Sequence, residues 1–232
     1  MRAAATKSAV ALSGDRFRIG EDDFQLADIL APSPYALQSA SSPYVNEAKE
    51  DLQDLLTNSS FEFDDIAPPT RWGVRVVRTK SAVDAASLEE RLVAAGAARV
   101  APQTNDIAFI EGLLTVERVA RRDKNGLWVL DAYRVFDADN ATDAIGGYHL
   151  IEGTVVSARK ARSRFYLNFG DDYRTDFTAS APSTLYRRWV KAGFDLASLQ
   201  GARVRIRGFV VDINGPSIDL THNGQIEDMN AV

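Results

Sequence analysis

The sequence contains no cysteine, and this absence excludes disulfide bonds, thiol catalysis and cysteine-ligated metal sites. Histidine is almost as scarce, because His149 and His222 are too few for a histidine-rich metal centre. No apolar run reaches the roughly 20 residues that a transmembrane helix needs. The first residues also lack the apolar segment of a secretory signal peptide. As written, the sequence predicts a cytoplasmic protein, or an envelope protein if an export signal has been removed.

What the sequence does contain is enough apolar material for packed cores. Hydrophobic residues make up 45% of the 232 residues, which allows one large domain or two small ones. The formal net charge of −5 is unevenly spread. Residues 1–147 carry 16 basic against 23 acidic side chains, whereas residues 148–232 carry 11 against 9. If long-range attraction brings nucleic acid to this chain, the second part is the better candidate.

The first 130 residues show a hairpin followed by three helical patterns. Strand-like alternation covers residues 9–30, and apolar residues recur at helical spacing in residues 44–56 and 107–122. Ser87 stands three residues before Glu90, the spacing of a capping box, and Gly96 ends that helix. These signals predict a mixed domain of strands and helices.

Four motifs in this part resemble the staphylococcal nuclease (thermonuclease) family, and they occur in the family's order. They are Ser13 to Ile19 with Phe24 to Ser33, Thr70 to Val74, Leu92 to Val100, and the last helix with its Gly126-Leu127-Trp128 ending. The resemblance covers roughly residues 9–130. It implies a five-stranded OB-type barrel packed by three helices.

The resemblance also implies which residues should carry chemistry. In that family two aspartates hold a calcium ion, a glutamate activates water and two arginines clamp the phosphate. Here Asp15 matches the first aspartate, whereas the other four positions are changed. The replacements are Gln25 and Val74 for the two arginines, Leu30 for the second aspartate and Ser33 for the glutamate. The chain is therefore expected to be a degenerate member with no confident catalytic residue.

Asp28 leaves one alternative open. It lies two residues before Leu30 and could share its face of the strand, so Asp15 and Asp28 are the candidate ligands of a remaining Ca²⁺ site. No other cofactor is expected. The competing interpretation is that Asp15 is a turn residue and Asp28 a hydrogen-bonded strand end.

Residues 131–147 are acidic, weakly periodic and end in two glycines, which predicts a linker. The second domain is expected at residues 148–228. Its pattern of three strands, a helix and two strands is the order of an OB fold. The predicted fold class is therefore β-rich α+β, with a nuclease-type OB domain at 9–130 and a smaller OB barrel after it.

The second domain carries the candidate nucleic-acid interface. Arg164, Tyr166 and Asn168 alternate with apolar residues, so they share one face of a strand. An exposed aromatic ring beside basic and amide groups is typical of single-strand binding by OB folds. Three further candidates share a face of a later strand: Arg203, Arg205 and Arg207. The competing interpretation is the ordinary polar face of a half-buried sheet.

These observations favour a catalytically degenerate thermonuclease-like protein that binds single-stranded nucleic acid or a protein partner. One alternative is an active calcium-dependent nuclease with a rearranged site. Another is a structural subunit of a larger complex that docks through the acidic first domain.

Overall fold

The structure is a computed structural model that describes residues 9–33, 43–83, 86–172 and 174–229. The chain divides after Ala132 into two compact units, called here the N-terminal and C-terminal units. Among the described residues, none of the helices combines the length and the apolar character that a membrane crossing requires.

The N-terminal unit is built on a five-stranded sheet with the order β1-β2-β3-β6-β5. The strands β3 and β6 run parallel, and the other neighbours are antiparallel. A two-stranded pair, β4 and β7, lies beside this sheet. The strand bounds are β1 Val10–Ala11, β2 Arg16–Ile19, β3 Asp22–Leu26, β4 Ile29–Leu30, β5 Phe61–Ala67, β6 Arg75–Ser81 and β7 Arg99–Val100.

Three helices pack against these strands, as the sequence predicts: α1 Val45–Asn58, α2 Leu88–Ala95 and α3 Ile107–Arg122. The predicted capping box is present, because the Ser87 side chain accepts from the Glu90 N–H and the Glu90 carboxylate accepts from the Ser87 N–H. Gly96 ends α2 at a positive φ of 71°, which a residue with a Cβ adopts only with strain. Leu52, Leu92 and Leu113 bring one apolar side of each helix into the shared core.

The C-terminal unit contains an eight-stranded sheet with the order β10-β11-β12-β14-β13-β9-β8, and β15 also pairs with β13. The strands are β8 Phe136–Asp137, β9 Tyr148–Thr154, β10 Ser157–Ala161, β11 Arg164–Asn168, β12 Thr178–Pro182, β13 Arg203–Asp212, β14 Pro216–Asp219 and β15 Ile226–Asp228. The helix α4 spans Ser183–Lys191. Within this sheet β12 and β14 run parallel, whereas β13 is antiparallel to both β9 and β14.

Short 3₁₀ segments complete both units: Gly126–Val129, Asp131–Tyr133, Ala138–Ala144, Leu196–Leu199 and Asn223–Gln225. The fold-class prediction, a β-rich α+β chain with a nuclease-type OB domain, is confirmed.

Residues 131–147 differ from the predicted linker. Phe136, Ala141 and Ala144 are buried in the core of the C-terminal unit, and β8 pairs with β9. The buried apolar residues of this stretch lie in the two-residue strand β8 and in 3₁₀ segments, so they do not follow the helical or strand period that marks a buried element in sequence. The second unit therefore begins near Tyr133 rather than at residue 148.

Candidate functional site

Asp15 lies in the turn between β1 and β2 and is only 6% exposed. Its carboxylate accepts a hydrogen bond from the Ser13 hydroxyl at 2.7 Å and another from the Ala31 N–H at 3.2 Å. Burial raises the pKa of Asp15 above its ordinary value, although these hydrogen bonds partly oppose the shift. Asp15 therefore joins the turn to the segment that follows β4, which is a structural role.

The space beside Asp15 is closely packed. A Cβ atom added to Gly14 would lie 2.7 Å from the Cβ atoms of both Ala31 and Ala48. The turn that carries Asp15 therefore lies directly against α1 and the segment after β4. Only glycine fits at position 14 without moving these neighbours.

Asp28 has no exposed surface and lies at a positive φ of 60°. One of its oxygens accepts from the Gln103 and Thr104 N–H groups at 2.7 and 2.8 Å. The other accepts from the Thr104 hydroxyl at 2.7 Å and from the Arg78 guanidinium at 3.2 Å. Asp28 therefore fixes the loop before α3 to the strands, and both its oxygens are already in use.

The two candidate calcium ligands thus belong to different hydrogen-bond networks. Asp15 binds the chain at residues 13 and 31, whereas Asp28 binds it at residues 78, 103 and 104. Within the part of the chain that the structure describes, no group of three or more histidine, aspartate or glutamate side chains could hold a metal ion. In the structure Asp15 is a turn residue and Asp28 is a hydrogen-bonded residue between β3 and β4, and both carboxylates accept hydrogen bonds from their own chain.

Four residues of the N-terminal unit differ from the family pattern described above: Gln25, Leu30, Ser33 and Val74. Gln25 lies on β3 opposite Arg16, and Leu30 lies on β4 opposite Arg99. Val74 is buried, and Ser33 is half-buried. None of these four side chains carries a charge that could replace the clamp or the base.

Arg75, next to Val74, binds Asp65 on β5 through two hydrogen bonds of 2.8 and 2.5 Å. Its guanidinium also lies 4.8 Å from the centre of the Phe24 ring. Arg75 therefore joins β6 to β5 and packs against the Phe24 ring.

Glu89 on α2 is a further buried carboxylate, and the sequence analysis did not predict it. Its oxygens accept from the Thr79 hydroxyl at 2.5 Å and from the Thr79 N–H at 3.2 Å. Burial raises the pKa of Glu89 to about 7, and the hydrogen bonds from Thr79 only partly offset this effect. Glutamate at a core-facing position is rare, so the hydrophobic pattern gave no signal for it.

The C-terminal unit contains a groove of about 690 Å³. It lies between the β10–β11 turn and the β13–β14 turn, which is where OB folds bind oligonucleotides and oligosaccharides. The sequence placed Arg164, Tyr166 and Asn168 on one face, and all three line this groove. The other lining residues are Arg159, Ala161, Arg162, Thr178, Ser180, Val211, Ile213, Asn214, Ser217 and Asp219.

Strand pairing aligns part of this lining into a row. Arg159 is opposite Tyr166, Tyr166 is opposite Ser180, and Ser180 is opposite Asp219. Directly opposite residues on neighbouring strands have Cβ atoms about 4.5–5.5 Å apart. We call these four residues the aromatic row. A ligand that contacts Tyr166 is therefore within reach of Arg159.

The arginines of the groove differ in how far their charge is compensated. Arg164 donates to the Ser180 hydroxyl and carbonyl, each at 3.0 Å, and forms an ion pair with Asp219. Arg159 and Arg162 are exposed, and neither forms an ion pair with a residue that the structure describes. Arg159 and Arg162 are therefore better placed than Arg164 to neutralise an anionic ligand.

The second set of predicted arginines does not line the groove. Arg205 and Arg207 are buried, at 6% and 0% exposure, and Arg203 extends from the same face of β13. Arg203 and Arg205 bind Glu152 at 3.3 and 2.8 Å, and Arg207 binds Glu227 at 2.5 Å. The sequence named these three arginines as candidates for the same interface as Tyr166, but they do not line its groove and instead form ion pairs with Glu152 and Glu227.

The sequence analysis also missed the groove's second rim, Ile213 and Asn214. The Asn214-Gly215 pair joining β13 and β14 is a hairpin signal that could have located this rim. Ile213 lies in the turn after β13 and is 64% exposed.

Comparison with known families identifies the first unit. Residues 23–129 match the family model described as staphylococcal nuclease homologue. No curated protein matched the chain significantly. The matched range contains the three helices described above and the parallel pair of β3 and β6, apart from Asp22, whereas β1 and β2 precede it. Residues 23–129 of this chain therefore belong to the staphylococcal nuclease homologue family.

Proposed function

We propose that this chain is a catalytically degenerate thermonuclease-like protein that binds single-stranded nucleic acid through the groove of its C-terminal unit. The observation that most supports this proposal is the groove. It contains Tyr166 together with Arg159 and Arg162, and neither arginine has an ion-pair partner among the described residues. Base stacking on an aromatic ring together with cationic contacts to the backbone is the general mode of single-strand binding.

The residue types in the nuclease-type unit support a protein without nuclease activity. Phosphodiester hydrolysis needs positive charge at the anionic transition state and a base for water. At the matched positions the chain has Gln25, Leu30, Ser33 and Val74, and the remaining Asp15 accepts two hydrogen bonds from its own chain. A rearranged calcium-dependent nuclease would need Asp28, whose two oxygens already accept four hydrogen bonds.

A protein-assembly role is the second candidate, and Trp72 favours it. This side chain is 76% exposed in the loop before β6, with the Arg71 guanidinium 4.6 Å from its ring centre. Tryptophan and arginine are enriched at the energetic centres of protein interfaces. The N-terminal unit could therefore dock a partner while the C-terminal unit binds nucleic acid.

A pair of aromatic substitutions tests the proposed function. Tyr166→Ala should weaken binding of a fluorescein-labelled single strand by about 1–3 kcal/mol, the usual range for one stacked base. Trp72→Ala removes an exposed aromatic side chain from the other unit and should leave the affinity unchanged. A titration in which Trp72→Ala weakens binding and Tyr166→Ala does not would move the interface to the nuclease-type unit.

A further inference from the structure

The groove has a polar floor that single-strand stacking alone does not require. Beside the aromatic row, strand pairing aligns Ser157 with Asn168, Asn168 with Thr178, and Thr178 with Ser217. We call these four residues the hydroxyl row. Asn168 and Thr178 are 5% and 9% exposed, yet Asn168, Thr178 and Ser217 all line the groove. A platform that only stacked bases would gain more from apolar or aromatic side chains at these positions.

The hydrogen bonds within the hydroxyl row leave capacity for a ligand. Asn168 donates to the Ser157 hydroxyl at 2.9 Å, and the Thr178 hydroxyl donates to the Asn168 carbonyl at 3.4 Å. The Thr178 oxygen therefore retains lone pairs that can accept. Ser217 makes no side-chain hydrogen bond to the residues that the structure describes, so its hydroxyl can both donate and accept.

The spacing of the two rows fits one nucleotide. Tyr166 and Asn168 are two residues apart on β11, which corresponds to about 6.6–6.8 Å along the strand. Arg159 lies opposite Tyr166, and the hydroxyl row is the next row along β11, so a nucleotide with its base on Tyr166 and its phosphate at Arg159 can place its sugar against the hydroxyl row. The 2′-hydroxyl of ribose is a donor and an acceptor, which matches Thr178 and Ser217, whereas deoxyribose offers neither.

We propose that the groove selects single-stranded RNA over single-stranded DNA, with Thr178 and Ser217 contacting the ribose 2′-hydroxyl. This inference rests on the proposed function, because it assigns a ligand class to the same groove. The exposed Arg159 and Arg162 favour a polyanion over a neutral oligosaccharide, which would leave both guanidinium groups without a counter-charge.

The test compares two oligonucleotides that differ only in the 2′-hydroxyl. Labelled oligo(rU) and oligo(dU) of equal length are titrated with the full chain at one salt concentration. Oligo(rU) should bind about 2- to 10-fold more tightly, the range that one net hydrogen bond gives. The Thr178→Val, Ser217→Ala double variant should bring this ratio close to one by weakening the binding of oligo(rU).

One control variant and four distinct outcomes separate this inference from the proposed function. Thr154→Val makes the same substitution at an exposed position of β9 outside the groove, and should keep the RNA preference.

Equal binding of both oligonucleotides would overturn the RNA preference but leave nucleic-acid binding in place. A preference that survives the double variant would overturn the assignment to the hydroxyl row. Displacement of oligo(rU) by a neutral oligosaccharide would assign the row to a sugar ligand instead. Binding of neither oligonucleotide would overturn the proposed function, and this inference with it.

Discussion

Asp28 in the N-terminal unit and Arg159 in the C-terminal unit are both charged, but their surroundings differ completely. Asp28 is fully buried and accepts four hydrogen bonds from its own chain. Arg159 is exposed at the rim of a groove and pairs with no charged residue that the structure describes. The first side chain stabilises the fold, and the second is available to a ligand.

This difference shows why residue type alone is a poor guide to a site. Asp15 and Asp28 have the right chemistry for calcium, yet their oxygens already bind backbone and side-chain donors. Arg205 and Arg207 have the right chemistry for phosphate, yet they are buried beside glutamates. Whether a charged side chain can bind a ligand depends on partners that are distant in sequence.

Four predictions test the contrast between the two units.

The largest expected effect concerns the independence of the C-terminal unit. A fragment of residues 133–232 should fold by itself. A fragment of residues 148–232 lacks buried Phe136 and β8, and losing one buried phenylalanine side chain alone costs about 3–5 kcal/mol. Circular dichroism and urea unfolding of the two fragments measure this difference. Equal stability of both fragments would restore residues 131–147 as a linker.

The next effect concerns the structural role of Asp28. Asp28→Ala removes the acceptor of three donors, the Gln103 N–H, the Thr104 N–H and the Thr104 hydroxyl, whereas Arg78 keeps its ion pair with Asp106. Because each unsatisfied donor costs about 1–3 kcal/mol, we expect a loss of about 3–5 kcal/mol in unfolding free energy. Asp54→Ala, at an exposed position of α1 near other acidic side chains, should change stability little. Urea unfolding of both variants provides the comparison. A stable Asp28→Ala protein would mean that this carboxylate is free for another role.

The third prediction concerns pH and Glu89. Its pKa is raised to about 7 in the folded protein from an ordinary 4.5, so the folded state binds the proton more tightly. The stability that this group contributes is therefore fully present below pH 4.5 and is lost as pH rises through 7. The loss is about 3 kcal/mol, since each pKa unit corresponds to about 1.4 kcal/mol.

Glu89→Gln removes this titration and serves as its own control. The difference in unfolding free energy between the natural protein and the variant should move in favour of the variant between pH 4 and pH 8. A difference that is constant with pH would show that Glu89 titrates at its ordinary pKa.

The smallest expected effect separates the groove arginines from the β13 arginines. Arg159→Ala and Arg162→Ala should each reduce the slope of log affinity against log salt by about 0.7 for a single strand. Arg203→Ala, which removes a partly exposed arginine bound to Glu152, should leave this slope unchanged. Titrations at several salt concentrations measure the three slopes. A reduced slope for Arg203→Ala alone would place the phosphate path on β13.

The sequence predicted much of the fold because its signals are local. The capping box at Ser87, the end of α2 at Gly96 and the alternation of Arg164 with Phe165 each depend on neighbouring residues. The site was harder to predict because its determinants are not local. Asp28 meets its partners 75 and 76 residues later, and Arg205 meets Glu152 across a sheet. On β11, alternation alone fixes which side chains share a face, and Arg164, Tyr166 and Asn168 all line the groove.

The central claim is that the chain binds a single strand without cleaving it. The most direct measurement follows the fluorescence anisotropy of an end-labelled single strand over time, after mixing with the full chain in calcium and in EDTA. We predict that the anisotropy rises to the same plateau in both conditions and then stays constant. A plateau that decays only in calcium, with the decay abolished by Asp15→Ala, would contradict the claim and identify an active nuclease.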